Sequence, residues 1–369
     1  MKKTMKKGLS LVLAMLLLLG ALSACNQGTN GPSAENSPSN AANTPESDTQ
    51  NDSQGSGSVE FEEMELTIAH PHPTNETDDV HYLATRFAHY VEEATGGKVT
   101  FSIVGDSVLG SDAELLESMT LNTLDMCIVT STAIGNNTPA HQILSMPFIF
   151  RDIDQVHAFL DSEIMDELNA KVVGDSNAVV LGVGDSGFRQ CVNNVRPISS
   201  AADFAGLKFR VMESPLYIRM FECLGANPTP MAGSEMFSAL QVGTIDGLEL
   251  PVGSIYSMQI YTAGKYIDMT NHLYTGWYLS INNSKWNSLS PELQKVFQEA
   301  ADKAVIDQRA LVSELEEEQI SAIESSGNVV SRDVDTSEMQ KLVQPIYDEY
   351  RDVIGADVMD KTLEFLNDH

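Results

Sequence analysis

Residues Pro291–Ser325 read PELQKVFQEAADKAVIDQRALVSELEEEQISAIES. Helix formers follow one another almost without interruption, and no Gly or Pro falls inside the run. At 1.5 Å per residue, such a helix is roughly 50 Å long. That exceeds one small domain, so the stretch is expected to cross between two. Beyond it, a helical pattern covers Ser337–Val353 and a shorter one covers Ala356–Leu366.

Upstream, strand and helix signals alternate. Met64–Ala69 alternates like a strand. Val80, Leu83, Ala84, Phe87, Tyr90 and Val91 carry a helical spacing that Gly96-Gly97 stops. Val99–Val104 is β-rich, and Ser111 can N-cap a helix carrying Leu115, Leu116 and Met119. Short strands are predicted at Leu124–Val129, Val179–Val183, Lys208–Met212 and Gly247–Leu250. Strands separated by helices of this length predict α/β units around mostly parallel sheets.

The 369 residues hold 22 Lys+Arg against 52 Asp+Glu, a net charge of −30, with a pI near 4.4. That balance argues against nucleic acid, which needs a basic face, and against docking on anionic lipid by charge. The first residues are not part of a fold. Lys2, Lys3, Lys6 and Lys7 precede the apolar run Leu9–Leu22, too short to span a bilayer, and residues 1–24 read as a secretory signal. Leu22-Ser23-Ala24-Cys25 resembles the bacterial lipobox, in which the Cys is acylated, as by palmitate. This predicts a lipoprotein held at the outer face of the cell membrane through Cys25. Residues 26–60 have one large apolar residue, Val59, and no aromatic, so 25–60 reads as a disordered tether. Removing the four leader lysines leaves 18 basic against 52 acidic residues, or −34.

No P-loop, dinucleotide fingerprint or nucleophile elbow is present, and no cofactor is expected. Gly182-x-Gly184-x-x-Gly187 follows a predicted strand but opens no helix. His70-Pro71-His72, His81 and His89 lack a Cys or carboxylate at ligand spacing and read as loop and surface histidines, with no metal. Cys127 lies in an apolar run. A Cys191–Cys223 disulfide is permitted by the compartment but not required. Two arginines stand out: Arg189 after a β-run, and Arg210 inside the strand Lys208-Phe209-Arg210-Val211-Met212. An Arg in such apolar settings needs an anionic partner, which is either a carboxylate of the chain or a ligand.

The segments around these arginines resemble the substrate-binding proteins of TRAP transporters, the tripartite ATP-independent uptake systems of C4-dicarboxylate and sialic-acid type. Ala94-Thr95-Gly96-Gly97-Lys98-Val99, Ser107-Val108-Leu109-Gly110, Leu124-Asp125-Met126 and Met146-Pro147-Phe148-Ile149-Phe150 match family segments. So do Gly187-Phe188-Arg189-Gln190, Gly206-Leu207-Lys208-Phe209-Arg210-Val211, Pro230-Met231 with Glu235, Ala239-Leu240-Gln241, and Ile245-Asp246-Gly247 with Glu249 and Pro251. They follow in the family's order from residue 64 to about 350.

The resemblance implies two hinged α/β domains, a cleft between them and a long helix spanning both. Domain I would be 61–186 plus about 275–314, and domain II 187–274 plus about 315–369. It implies a binding protein, not an enzyme, that captures a small organic acid and delivers it to the membrane subunits of a TRAP permease. Arg210 would pair with the ligand carboxylate, and Arg189 would help. A guanidinium fork suits that task because it matches a carboxylate bidentately and keeps its proton. His72, Thr130, Ser131 and Glu213 fall where other members contact ligand. The chain departs from the pattern at Gly233, where an aromatic is common, and at Leu250, where Asn is common. Both departures favour a larger acid, such as a uronate or an aromatic or branched carboxylate, over succinate or malate, unless a neighbour such as Met212 or Met236 fills the gap. A binding protein of an ABC importer or a sensor is the alternative. A secreted hydrolase is a more distant one, for which no base–nucleophile pair is evident.

Overall fold

The computed structural model describes residues 60–369. The signal segment, Cys25 and the tether to residue 59 lie outside the described residues. Ten strands form one sheet system among the described residues: β1 (Met64–Ala69), β2 (Val99–Val104), β3 (Met126–Thr130), β4 (Ala178–Asn193), β5 (Lys208–Val211), β6 (Asn227–Pro230), β7 (Gly247–Pro251), β8 (Tyr266–Asp268), β9 (Tyr274–Asn282) and β10 (Val329–Ser331). Their spatial order is β2-β1-β3-β9-β4-β7-β5-β6, with β8 on β4 and β10 on β8.

The sheet is mixed rather than mostly parallel. β1 pairs in parallel with β2 and β3, β5 with β6 and β7, and β8 with β10. β9 enters antiparallel between β3 and β4, and β4 runs antiparallel to β7 and β8. β4 therefore belongs to both halves of the sheet. Its sixteen residues replace the five-residue strand expected from sequence. The register shifts between Val180 and Gly182 and again between Asp185 and Gly187, so the strand is bulged where it passes from one half to the other.

Gly182, Gly184 and Gly187 sit inside this strand, not after one. A Cβ at Gly184 would lie 2.6 Å from Gln308 Oε1 and 3.2 Å from Leu83 Cδ2. Gln308 needs that space, since its Oε1 accepts from Asp185 N at 2.8 Å and its Nε2 donates to Asp185 O at 2.6 Å. The glycine spacing thus records the close crossing of a helix over a strand rather than a phosphate cradle.

The crossing helix is Pro291–Ser325, with bounds as read from the sequence. Ser290 caps it, accepting from Leu293 N at 3.2 Å, and Gly327 follows its end at φ 96°. Its first half buries Leu293, Phe297, Ala300, Ala301, Ala304 and Val305 in an apolar cluster with Leu66, Ile68, Leu83 and Phe87. Its far end buries Ile323 in a second cluster with Val192, Met236, Leu248 and Leu250. No residue from 309 to 318 is buried. A third cluster underlies both halves, from Cys127 and Val129 through Phe209 and Phe221 to Met339 and Leu366.

Two other readings shift. The helical pattern at 337–353 is two helices, Ser337–Val343 and Pro345–Ile354, because Pro345 has no N–H to continue the first and suits the opening turn of the second. Cys127, Cys191 and Cys223 are all free thiols, so the permitted Cys191–Cys223 bridge is not formed. Among the described residues no helix is long and apolar enough to cross a membrane.

Candidate functional site

A cavity opens between the two halves of the sheet, with an empty volume of about 980 Å³ that includes its open mouth. Arg189, on β4, and Arg210, on β5, both line it. The two guanidiniums are differently employed. Arg189 is tied to the protein through all three of its nitrogens. Its Nε donates to Glu249 Oε2, its Nη2 to Glu249 Oε1 and to the Glu249 carbonyl, both at 2.9 Å, and its Nη1 to Thr275 Oγ1 at 3.0 Å. Burial opposes the Arg189 charge, but Glu249 outweighs it and the pKa rises. Burial likewise opposes ionisation of Glu249, and Arg189 outweighs it, leaving that pKa lowered. His272 Nε2 stands 3.5 Å from Glu249 Oε2 on the far side.

Arg210 is 3% exposed and, among the described residues, has no carboxylate within 4.0 Å. Its Nε and Nη2 both donate to the Met231 carbonyl, at 3.0 and 2.6 Å. That bond fixes the plane of the fork but neutralises nothing. Burial pulls the Arg210 pKa down to about 10, which leaves it cationic at neutral pH. A buried, oriented guanidinium at a cavity wall, with Glu249, Asp112 and Glu213 acting on it only at a distance, is suited to receive an anion.

His72, in the loop after β1, supplies a second cation. Its Nδ1 is 3.0 Å from Asp78 Oδ2 and 3.7 Å from Asp79 Oδ1. Burial works against protonation, but Asp78 and then Asp79 outweigh it and raise the pKa to about 9. Its ring meets the Trp277 indole edge-on at 4.6 Å, and Trp277 Nε1 donates to Asp79 Oδ2 at 2.8 Å. The sequence reading found no carboxylate near this histidine, yet Asp78 and Asp79 reach it from the start of helix Asp79–Ala94. Their oxygens and Nδ1 lie close enough together to hold a cation. Each carboxylate also accepts from the protein, Asp78 Oδ1 from Val80 N and His81 N, and Asp79 Oδ2 from Trp277, so the residues fit an imidazolium clasp rather than a metal cage.

Residues 70–352 match the family described as bacterial extracellular solute-binding protein, family 7, DctP. The 2,3-diketo-L-gulonate-binding periplasmic protein YiaO of Escherichia coli is 32% identical over 262 residues, 71% of this chain and 80% of YiaO. The chain belongs to this family. Two solved TRAP periplasmic solute-binding proteins share its fold. One, from Polaromonas and bound to D-erythronate, is 32% identical with a TM-score of 0.78, covering 82% of this chain and 98% of its own. Another, from Bordetella with density read as pantoate, is also 32% identical with a TM-score of 0.78, covering 82% and 99%. The architecture is thus the two-domain hinged fold of TRAP solute-binding proteins, with the long helix spanning both domains, and the family is one of transport proteins rather than enzymes.

Within this TRAP solute-binding protein, seven of the eight residues singled out from sequence line one cavity: His72, Thr130, Arg189, Arg210, Glu213, Gly233 and Leu250. Ser131 does not line it. Its Oγ accepts from Gly276 N at 3.3 Å, which ties β9 to the end of β3. Thr130 N donates to Asp112 Oδ1 at 2.9 Å, and Thr130 Oγ1 accepts from Ala133 N at 3.2 Å. Glu213 is exposed at the rim, and its carbonyl accepts from Asn136 Nδ2 at 2.8 Å. At Gly233, the first residue of helix Gly233–Gln241, a Cβ would meet nothing within 4 Å. Neither Met212 nor Met236 fills that space, although both line the cavity.

The sequence reading missed Asp112, Trp277, Thr275 and Ser186 as lining residues. Burial raises the Asp112 pKa. Trp277 and Thr275 come from β9, a strand not recognised at all. The Ser111 cap signal was the one available pointer to Asp112, which follows it.

Proposed function

We propose that this protein captures a small organic acid outside the cytoplasm, in the cavity between its two domains, and delivers it to the membrane subunits of a TRAP permease. The observation that carries the reading is Arg210: buried, held in plane by the Met231 carbonyl, and without a carboxylate of its own. A ligand carboxylate completes it. Arg189 supports from behind, its charge already matched by Glu249. His72, as an imidazolium, and Thr130 and Glu213 offer groups for the rest of the ligand, and Leu250 and Gly233 shape the room it has. The related proteins with named ligands, 2,3-diketo-L-gulonate, D-erythronate and pantoate, all take carboxylates, which supports the reading.

The domains of this reading are 61–186 with about 275–314, and 187–274 with about 315–369. Ligand favours the state in which both touch it, so binding is a population shift toward closure. The chain is anchored by a lipid on Cys25, with residues 25–60 as its tether. A thermal-shift screen against organic and sugar acids tests the binding reading, because a ligand that binds only the folded state stabilises it by RT ln(1+[L]/Kd). Carboxylates are expected to raise Tm and their uncharged amides to leave it unchanged. No response to any acid would overturn it.

A further inference from the structure

The cavity is not evenly polar. Four of the sixteen methionines of the chain line it: Met212, Met231, Met236 and Met258. They converge from four places, after β5, after β6, within helix Gly233–Gln241, and after helix Val252–Ser257. Leu250, at the end of β7, joins them. Met236 and Leu250 belong to the apolar cluster of the second half of the sheet, and Met231 and Met258 pack on it. The cavity wall there is the outer layer of a core, and these five residues offer no side-chain donor and only weak thioether acceptors, although Glu213, Ser234 and Ser254 line the cavity from the same half. From the first half of the sheet come Ser107, Ser111, Asp112, Thr130 and Asn137.

We infer, on the basis of the organic-acid reading above, that the ligand is an amphipathic monocarboxylate: hydroxylated on one edge, with a branched apolar flank on the other that seats on the methionine wall. A polyhydroxy acid with a hydroxyl on every carbon would bury some of those hydroxyls against thioethers, which are only weak acceptors, and methyl groups, with Glu213, Ser234 and Ser254 the polar side chains that interrupt that wall. Each orphaned hydroxyl weakens binding by about tenfold or more. Unbranched, polarizable methionine side chains suit an irregular apolar shape, and Leu250 adds no hydrogen bond to recruit a hydroxyl. The empty volume beside Gly233 leaves room for the branch. Its place along the ligand also follows. Met231 holds Arg210 through its carbonyl, so the wall begins beside the carboxylate and the branch belongs on the second or third carbon.

A matched pair of probes tests this. D-erythronate and pantoate share a four-carbon hydroxylated backbone, and the first carries a hydroxyl on C3 where the second carries two methyl groups. Calorimetry should give pantoate at least tenfold tighter than D-erythronate, with succinate and galacturonate weaker still. The half-buried pair Met212→Gln and Met258→Gln together should bring the pantoate-to-erythronate ratio close to one. The ratio is insensitive to any loss of folded protein. D-erythronate or galacturonate equal to pantoate or tighter, with binding still dependent on Arg210, would overturn the amphipathic ligand and leave the organic-acid reading standing. An unchanged ratio in the double variant would overturn the methionine wall as its cause. No binding of any carboxylate would overturn both readings.

Discussion

Glu249 grips Arg189 from two sides, its carboxylate and its own carbonyl both accepting from Nη2 at 2.9 Å, and so removes that arginine's charge from play. Two arginines that look equivalent in sequence therefore divide the work. Arg189 is a built-in ion pair at the cavity wall, and Arg210 is the lining arginine that, among the described residues, has no carboxylate within 4.0 Å.

Arg210→Ala should weaken carboxylate binding by on the order of 10²-fold to 10³-fold, from the roughly 3–5 kcal/mol lost when one partner of a buried charge pair goes. Arg210→Lys keeps the charge without the fork and should recover only part. Calorimetric titration with the best ligand of the screen measures both. Near-native affinity in the Ala variant would place the carboxylate elsewhere.

Glu249→Gln should cost folding stability more than it costs recognition. It strands the Arg189 guanidinium in a buried site, at roughly 3–5 kcal/mol. Replacing both partners, as Arg189→Met with Glu249→Leu, should restore much of that, since an apolar pair leaves no orphan charge. Denaturant unfolding of the single and double variants reads the difference. A single variant as stable as the parent would show that the pair is not coupled.

His72 makes a stability contribution that depends on pH. Its pKa is raised in the fold to about 9 by Asp78 and Asp79, against an ordinary value near 6.5. A raised histidine pKa stabilises fully below the unfolded value and loses that contribution as pH climbs through the folded value. The Tm gap between the parent and His72→Asn should therefore be widest at pH 6 and shrink toward pH 9.5. A gap that is flat or widens over this range would mean the clasp with Asp78 is not an ion pair.

Cys25→Ala should release a folded, ligand-binding protein from the membrane fraction. Persistence of the variant on membranes after a high-salt wash would rule out the lipid anchor at that residue.

What could be read from sequence was what depends on neighbours along the chain. Helix Pro291–Ser325 announced itself through an unbroken run of helix formers. Arg210 stood out because a cation inside an apolar strand has to be matched by something. Partners distant in sequence were not legible. Nothing around Glu249 marks it as the counter-ion of Arg189, sixty residues away, and nothing around Asp78 marks it as the clasp of His72. β9 went unseen because Tyr274–Asn282 is buried along its whole length and so shows no alternation. The glycines of β4 concealed a strand by imitating a loop.

Each end of helix Pro291–Ser325 is seated in its own apolar cluster, and the span between, residues 309–318, is half-buried or exposed, with Arg309 tying its start to the Val183 carbonyl at 2.9 Å. A rod held that way is a leaf spring. Rotating one cluster toward the other would load the less buried span, and a long helix takes up such a load as gentle curvature spread over many slightly lengthened hydrogen bonds. In the closure proposed above, the affinity measured for any ligand is net of that flexure.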